Sequence, residues 1–224
     1  MLWRQFCLSL VLASAMSAAA GPDLIRSTWK ARWIRVPGAS ASEYGVYHFR
    51  RVFTLDTKPA SFVVHVSGDN RYQLYVNGVR AAWGPARGDL KHWRFETVDL
   101  APHLAAGRNV LAAIVWNDGP YAAVAQISSQ TGFLLQGAGQ LEQVVNTDAQ
   151  WRCVRNMAYA ANPLAADQST GYYAVPPSER IDAALYPWGW EKPDFDDQSW
   201  APAEAGKTAA GRYAQDSPTP WMLV

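Results

Sequence analysis

Residues 61–78 constrain the fold of this chain more than any other stretch. Two short runs carry apolar side chains at every second position: Phe62, Val64 and Val66, then Tyr72, Leu74 and Val76. Asn77-Gly78 follows, and both residues tolerate the positive φ that a type I′ turn requires. The pattern predicts two strands and a hairpin into a third strand at residues 79–83, which is the start of an antiparallel sheet.

The rest of the chain is also typical of β structure. Turn signals recur about every 8 to 12 residues, and no stretch has sustained helical periodicity. Further strands are predicted at residues 45–55, 93–100, 110–116, 121–128 and 131–135. Residues 110–116 are apolar at every position, which favours a central strand covered on both faces. We predict an all-β fold, an antiparallel jelly-roll β-sandwich with a long loop excursion over residues 156–190.

The first twenty residues predict a cleavable secretory signal. Arg4 precedes an apolar run at residues 6–13, and small residues at 17–20 follow. The run is too short to span a bilayer, which needs about 20 apolar residues. We therefore expect an exported protein, periplasmic or extracellular. Removal of the signal takes Cys7 with it and leaves Cys153 alone, so no internal disulfide is expected.

The charge balance excludes two classes of partner. The chain has 20 basic and 19 acidic residues, and loss of Arg4 with the signal makes the numbers equal. Nucleic-acid binding and attachment to an anionic membrane both call for a basic patch. We expect neither nucleic acid nor membrane as a partner.

Most catalytic and cofactor chemistries lack their motifs here. No Gly-x-Ser-x-Gly elbow is present, and no Gly-rich phosphate loop opens a helix. The four histidines, His48, His65, His92 and His103, are scattered without ligand spacing, so a zinc site is not predicted. No cofactor and no metal ligand is assigned. A structural calcium ion stays open, since loop carboxylates and carbonyls can bind it, but no residue is assigned to it.

The acidic residues predict turns rather than a catalytic pair. Glycoside hydrolysis usually needs two carboxylates about 5 to 9.5 Å apart that face each other across the bond. Asp196 and Asp197 are neighbours on a turn, and we interpret them as holding Trp200 against the sandwich. In Asp69-Asn70-Arg71, Asp69 is expected to cap backbone N–H groups while Arg71 pairs across the surface. No catalytic residue is predicted.

Two loops combine aromatic and polar side chains as carbohydrate sites do, because sugars stack on aromatic faces and bond to planar polar groups. The carbohydrate-binding candidates are Trp83, Arg87, Asp89 and Trp93 in the first loop and Trp116, Asn117, Asp118 and Tyr121 in the second. The strand order does not require the two loops to lie at the same end. A structural alternative is that Trp83 and Trp116, which end strands, plug the ends of the core.

Several motifs together resemble one family. They are FRRVF at residues 49–53, DNRY at 69–72, LYVNG at 74–78, DL at 99–100, GRNVL at 107–111, VW at 115–116, TDAQWR at 147–152, IDA at 181–183, GW at 189–190 and FDDQSW at 195–200. In this order they resemble the amino-terminal, galactose-binding-like sandwich of bacterial α-L-rhamnosidases, over roughly residues 29–203. The first half is also similar to the sugar-binding domains of β-galactosidase-like enzymes.

The resemblance implies a non-catalytic role for this chain. In that family the catalytic acids lie in a helical barrel well after this domain, so no catalytic residue carries over. The implied function is an accessory module of a glycoside hydrolase that packs against a C-terminal catalytic domain of the same polypeptide and contacts substrate. Residues 204–224 are then expected to be a connector to that domain. The alternatives are a free-standing lectin-like protein and a sugar-binding domain of a β-galactosidase-like enzyme.

Overall fold

The strands of this chain pair into two antiparallel sheets. The computed structural model describes residues 23–163, 175–215 and 219–224; the predicted signal at residues 1–20 lies outside them. In chain order the strands are β1 (Thr28–Arg35), β2 (Gly45–Leu55), β3 (Val63–Asp69), β4 (Arg71–Val76), β5 (Val79–Gly84), β6 (Glu96–Asp99), β7 (Gly107–Asn117), β8 (Gly132–Gly137), β9 (Arg152–Arg155), β10 (Tyr159–Asn162), β11 (Ser178–Ile181), β12 (Ala201–Pro202) and β13 (Glu204–Ala210). Short 3₁₀ helices span Ala101–His103, Gly119–Tyr121 and Leu141–Val145.

One sheet has the strand order β12-β9-β2-β7-β4-β5 and the other has the order β13-β1-β8-β3-β6. Strands β10 and β11 form a separate hairpin. The longest pairing joins β2 and β7 from Gly45 opposite Asn117 to Leu55 opposite Gly107. This architecture confirms the predicted all-β antiparallel sandwich. None of the helices in the described ranges has the length and apolar character needed to cross a bilayer.

The hairpin predicted at Asn77-Gly78 is confirmed. Asn77 has φ 50° and Gly78 has φ 88°, and the turn joins β4 to β5. Strands β3 and β4, in contrast, belong to different sheets. The chain therefore crosses from one layer to the other at Asn70.

Asp69 at this crossover caps backbone groups as expected. Its Oδ2 accepts the N–H groups of Ser129 at 2.8 Å and Gln130 at 3.2 Å. These bonds hold the backbone at Ser129 and Gln130 at the end of the sandwich.

The strand predicted at residues 121–128 is wrong, because this segment forms turns after the 3₁₀ helix Gly119–Tyr121. Val124 and Ile127 are exposed there, so the apolar residues do not share a buried face.

Aromatic side chains fill the space between the sheets. The ring of Phe133 lies 5.6 Å from that of Phe49 and 5.6 Å from that of Trp151, and Tyr72 packs against it at 6.1 Å. All four side chains are fully buried. Full burial of one large apolar side chain stabilises a fold by about 1.5–3 kcal/mol, so this cluster is a main source of stability.

A second apolar cluster covers the outer face of the six-stranded sheet. Ile114 and Trp116 of β7 pack there against Trp190 and Trp200 from later in the chain. Strand β7 lies between β2 and β4 and is buried on both faces, which confirms the central strand predicted at residues 110–116. The excursion predicted over residues 156–190 does cross this sheet, although its residues 164–174 lie outside the described ranges.

Arg50 ties this covering layer to the sheet. Its fully buried guanidinium donates to Asp197 Oδ2 at 2.9 Å and to the carbonyl oxygens of Trp190, Lys192 and Phe195. A buried guanidinium with so many acceptors stabilises one arrangement of the loop around it.

The Asp196-Asp197 turn has the predicted structural role. Asp196 Oδ1 accepts the N–H of Gln198 at 3.0 Å. The carbonyl oxygen of Asp197 accepts the N–H of Trp200 at 3.0 Å, and the Trp200 ring is buried. The turn therefore holds Trp200 against the sandwich.

The end of the chain is part of the sandwich, although the sequence placed a connector at residues 204–224. Strand β13 pairs with β1, with Thr28 opposite Ala210. Trp221 is buried, stacks on Trp33 at 4.2 Å and donates from Nε1 to Asp69 Oδ2 at 3.0 Å. The sequence of β13 is rich in Ala and Gly and lacks an apolar alternation, so it gave no strand signal.

Replacing Trp221 should destabilise the whole domain. We expect Trp221→Ala to lower the free energy of unfolding by about 3–5 kcal/mol, because it removes a buried indole and leaves a cavity beside Trp33. Urea unfolding followed by tryptophan fluorescence measures the change. Trp188→Ala is the control, since Trp188 is 70% exposed, and it should cost less than about 1 kcal/mol. Equal losses in the two variants would show that the tail is not part of the cooperative fold.

His48 is a buried histidine held in its neutral form. Asn156 Nδ2 lies 2.7 Å from His48 Nε2, and the imidazole packs 4.1 Å from the ring of Trp190. Burial lowers the pKa of His48 from 6.5 to about 3. The unfolded chain therefore binds one more proton than the folded chain between these two pH values, and the free energy of unfolding falls as the pH drops through this window.

Replacing His48 should make the free energy of unfolding fall less steeply as the pH drops below 6.5. Between pH 6.5 and pH 5, we expect the free energy of unfolding of His48→Phe to fall by about 2 kcal/mol less than that of the parent chain. One such group contributes about 1.4 kcal/mol per pH unit to this free energy. Urea unfolding across this range measures the slope. Parallel curves for His48→Phe and the parent would contradict the assignment.

Candidate functional site

A cleft of about 360 Å³ lies at one end of the six-stranded sheet, on its outer face. Strand β4 supplies Arg71 and β5 supplies Arg80 and Trp83. Alternate residues of these strands, such as Leu74 and Ala82, point into the core between the sheets, which directs Arg71, Arg80 and Trp83 outward. A cleft of this volume is at the small end of the range for ligand pockets.

Four of the eight residues predicted from the two loops line this cleft. They are Trp83 and Arg87 from the first loop and Trp116 and Asp118 from the second. The two loops meet because β4 lies between β5 and β7, so the ends of all three strands are adjacent. Trp83 is 69% exposed, which does not fit the alternative that it plugs the core, whereas Trp116 is buried.

The other four predicted residues lie elsewhere and have structural contacts. Trp93 is buried in a separate cluster with Trp29, and its Nε1 donates to Ser67 Oγ at 3.1 Å. Asp89 is exposed and accepts the N–H of Lys91 at 2.8 Å.

Asn117 and Tyr121 follow the same pattern. Asn117 is buried and donates to the carbonyl oxygen of Ala41 and to Thr131 Oγ1. The ring of Tyr121 packs 6.5 Å from that of Tyr44. None of these four residues is among the described residues that line the cleft.

Asn70 fixes the two sides of the cleft to each other. Its backbone N–H donates to the carbonyl oxygen of Trp116 at 2.8 Å, and its Oδ1 accepts the N–H of Asp118 at 2.7 Å. The crossover between the sheets thereby locks the end of β7 beside the start of β4. This is the local reason why Trp116 and Asp118 lie next to Arg71.

Arg71 is the central charge of the site. Its Nη2 lies 3.7 Å from Asp118 Oδ1 and 3.4 Å from Glu179 Oε1, and its Cζ lies 4.6 Å from the centroid of the Trp116 ring. Glu179 belongs to β11 and also accepts a hydrogen bond from Tyr44 Oη at 3.0 Å. No sequence pattern pointed to Glu179, because it is more than one hundred positions from Arg71.

Burial perturbs the carboxyl group of the cleft. It raises the pKa of Asp118, and Glu179 raises it further, whereas Arg71 and Arg87 oppose the shift. Burial likewise raises the pKa of Tyr44, helped by the charge of Glu179. The tyrosine therefore stays a hydrogen-bond donor to Glu179.

Three polar atoms around the cleft have no hydrogen-bond partner within the described part of the chain. They are Arg71 Nε, Trp116 Nε1 and Asp118 Oδ1. An unsatisfied buried polar atom costs about 1–3 kcal/mol, and such atoms are uncommon in folded proteins. Two donors and one acceptor that converge on one cleft are the groups that a hydroxyl-bearing ligand could satisfy.

The acids of the site do not face each other across open space. Asp118 and Glu179 both contact the same Nη2 atom of Arg71, so the guanidinium lies between them. Within residues 23–163, 175–215 and 219–224, no three His, Cys, Asp or Glu side chains converge as a metal centre requires.

Solved structures define the class of this fold. The chain is similar to the GH78 family rhamnosidase of Bacillus sp. GL1, with 24% identity, a TM-score of 0.74, and 88% of this chain and 20% of that chain covered. It is also similar to the α-L-rhamnosidase from Dictyoglumus thermophilum, with 21% identity, a TM-score of 0.64, and coverage of 87% and 22%. The fold is thus that of a β-sandwich domain found within rhamnosidases.

The sequence comparisons give the family itself. Residues 57–223 match the family model of the α-L-rhamnosidase N-terminal domain, and this chain belongs to that family. It is 25% identical over 219 residues to an α-L-rhamnosidase of Streptomyces avermitilis, which covers 86% of this chain and 18% of the relative. The chain spans about a fifth of the length of the relatives it matches. The resemblance predicted from the motifs is confirmed.

The pairing of Arg71 with Asp118 can be measured by a double-mutant cycle. We expect Arg71→Gln to lower the free energy of unfolding by about 1–2 kcal/mol at pH 7, because it leaves the buried Asp118 carboxylate without its cation; the partial exposure of Arg71 limits the loss. The double variant Arg71→Gln/Asp118→Asn should recover part of that loss. Additive changes in urea unfolding would mean that the two charges do not interact.

Proposed function

We propose that this chain is a non-catalytic N-terminal accessory module of an exported α-L-rhamnosidase-like glycoside hydrolase, and that its cleft binds carbohydrate. Family membership supports the first part of the proposal. The observation that carries the second part is the cleft itself, where the exposed Trp83 lies with Arg71, Trp116 and Asp118, each of which has one buried polar atom without a hydrogen-bond partner among the described residues. Aromatic faces next to convergent polar groups are the usual chemistry of sugar recognition.

Each group of the cleft has a specific role in this proposal. The guanidinium of Arg80 lies 5.4 Å from the centroid of the Trp83 ring, which leaves the other ring face to stack on the C–H patch of a sugar. Arg71 Nε and Trp116 Nε1 donate to sugar hydroxyls, and Asp118 Oδ1 accepts from one. The Arg71 side chain is 39% exposed, so part of it is accessible to a ligand in the cleft.

The non-catalytic role rests on how the acids are used. The two carboxylates beside the cleft, Asp118 and Glu179, are both engaged by Arg71. An enzyme that cleaves a glycosidic bond needs one acid free to donate a proton and another free to act on the opposite side. We therefore propose that this chain recognises saccharide while a catalytic domain elsewhere in the same polypeptide cleaves it.

An exposed apolar surface supports contact with that catalytic domain. Met157, Ile181 and Leu185 line one shallow depression on the excursion, and the Trp188 Nε1 donates to the carbonyl oxygen of the neighbouring Ala183. These four large side chains are exposed together, and contiguous apolar surface of this kind marks interfaces. The part of the relatives that this chain matches is about a fifth of their length, so most of their length lies outside this domain.

Export is also part of the proposal. The predicted signal at residues 1–20 supports it, and the lone Cys153 is compatible with an oxidising compartment. Its thiol is buried, and burial raises its pKa to about 12, which keeps the reactive thiolate form scarce.

Binding can be tested with two matched tryptophans. We expect the chain to bind neutral oligosaccharides that contain rhamnose or galactose, and Trp83→Ala to weaken the affinity at least about tenfold, because it removes the stacking face. Trp188→Ala should bind like the parent, although Trp188 is as exposed as Trp83. Isothermal titration with thermal unfolding as a fold check measures both. Absence of binding by the parent, or equal weakening by both changes, would refute carbohydrate recognition at the cleft.

Turnover is the second test of this proposal. We expect no hydrolysis of an aryl α-L-rhamnoside by this chain, because the two acids beside its cleft, Asp118 and Glu179, are paired with Arg71. If hydrolysis is seen and disappears in Asp118→Asn or Glu179→Gln, the non-catalytic assignment fails. Asp89→Asn, which changes an exposed acid outside the cleft, is the matched control.

A further inference from the structure

We infer that the saccharide taken by this cleft is acidic and carries a uronate-type carboxylate. This inference rests on the proposed function, since it names the class of ligand for the same cleft. Its basis is a surplus of positive charge. Of the described residues that line the cleft, Arg71, Arg80 and Arg87 are cations and Asp118 is the one acid.

One of the three guanidinium groups is already neutralised. Arg71 has two carboxylates within ion-pair distance, Asp118 and Glu179, and it packs over Trp116. Arg71 is therefore a fixed part of the wall of the cleft. The charge that remains for a ligand therefore comes from Arg80 and Arg87.

Neither Arg80 nor Arg87 forms an ion pair with any residue that the structure describes. Both side chains are exposed, Arg80 on β5 and Arg87 on the loop after it, on either side of Trp83 in the sequence. Arg80 lies over one face of the Trp83 ring, so its cation is held beside the aromatic ring whose other face is open to the sugar.

Two further acids lie in or next to this loop, Asp89 and Glu96, and both have contacts within the protein. Asp89 accepts the N–H of Lys91 at 2.8 Å and lies 3.1 Å from His92 Nδ1. Glu96 Oε1 accepts the N–H of Ala86 at 2.8 Å, and Glu96 Oε2 accepts a hydrogen bond from Tyr72 Oη at 3.1 Å. Glu96 is not among the described residues that line the cleft. It fixes the backbone that carries Arg87 and leaves the two arginines available.

The chemistry of these groups selects a carboxylate. A guanidinium presents two parallel N–H donors that match the two oxygens of a carboxylate, and such charge-assisted bonds are the stronger ones at a binding site. In a uronic acid the carboxylate lies on the sugar ring itself, so a ring stacked on Trp83 carries its charge to the neighbouring guanidinium groups. A neutral sugar would use the stacking face and leave both cations without a partner.

The test uses two ligands with the same sugar rings, one charged and one neutral: a galacturonic acid trimer and the fully methyl-esterified form of the same trimer. We expect the acid to bind the parent chain about tenfold more tightly than the ester, and raised salt to reduce this advantage. In Arg80→Gln/Arg87→Gln the advantage should disappear, so that the acid and the ester bind with equal affinity. Trp83→Ala should weaken both ligands. Arg35→Gln, which removes an exposed arginine outside the cleft, is the control.

Titration calorimetry separates this inference from the function on which it rests. Equal affinity for acid and ester in the parent, an acid advantage that survives in Arg80→Gln/Arg87→Gln, or a sulfated galactose trimer that binds as tightly as the uronate each overturns the carboxylate inference. If neither trimer binds, the inference also fails. The neutral saccharide titrations with Trp83→Ala then decide independently whether the cleft binds carbohydrate.

Discussion

The structure depends on one constraint: strand β7 is apolar on both faces, and both faces must be kept from water. The second sheet covers one face, with Phe133 packed among the rings of the inner layer. The other face needs a separate cover, and the chain supplies it with the segment that carries Trp190 and Trp200. Arg50 fixes the position of that segment through hydrogen bonds to Asp197 and to the carbonyl oxygen of Lys192. Apolar contacts alone would not fix it in this way.

The same cover builds the cleft. Strand β11 of the excursion brings Glu179 to Arg71, and the crossover at Asn70 brings Asp118 to it from the other side. Asp118 and Glu179 hold the guanidinium of Arg71 in place. In the function proposed here they therefore belong to the wall of the cleft and do not act as catalytic acids. Trp83, Arg80 and Arg87 remain exposed at the mouth of the cleft, where they are available to bind a ligand.

Local sequence predicted the elements better than their arrangement. Alternating apolar residues located the central strands, and the conformational tolerance of Asn77-Gly78 located the hairpin. The two predicted loops contributed four residues to one cleft only because β4 separates β5 from β7, an order set by pairing between distant parts of the chain. Glu179 was missed for the same reason. Trp221 was missed because its surroundings have no periodicity, although it fills a gap beside Trp33.

The neighbouring positions of β1 and β13 have a consequence for how the domain forms. The first strand of the five-stranded sheet is paired with the last, with Thr28 opposite Ala210. Nearly the whole chain must be synthesised before this pairing can close, and contacts of such long sequence separation slow folding. Until then β1 has an open edge that can pair with other chains. The sandwich is therefore a domain that folds late, after its final strand has left the ribosome.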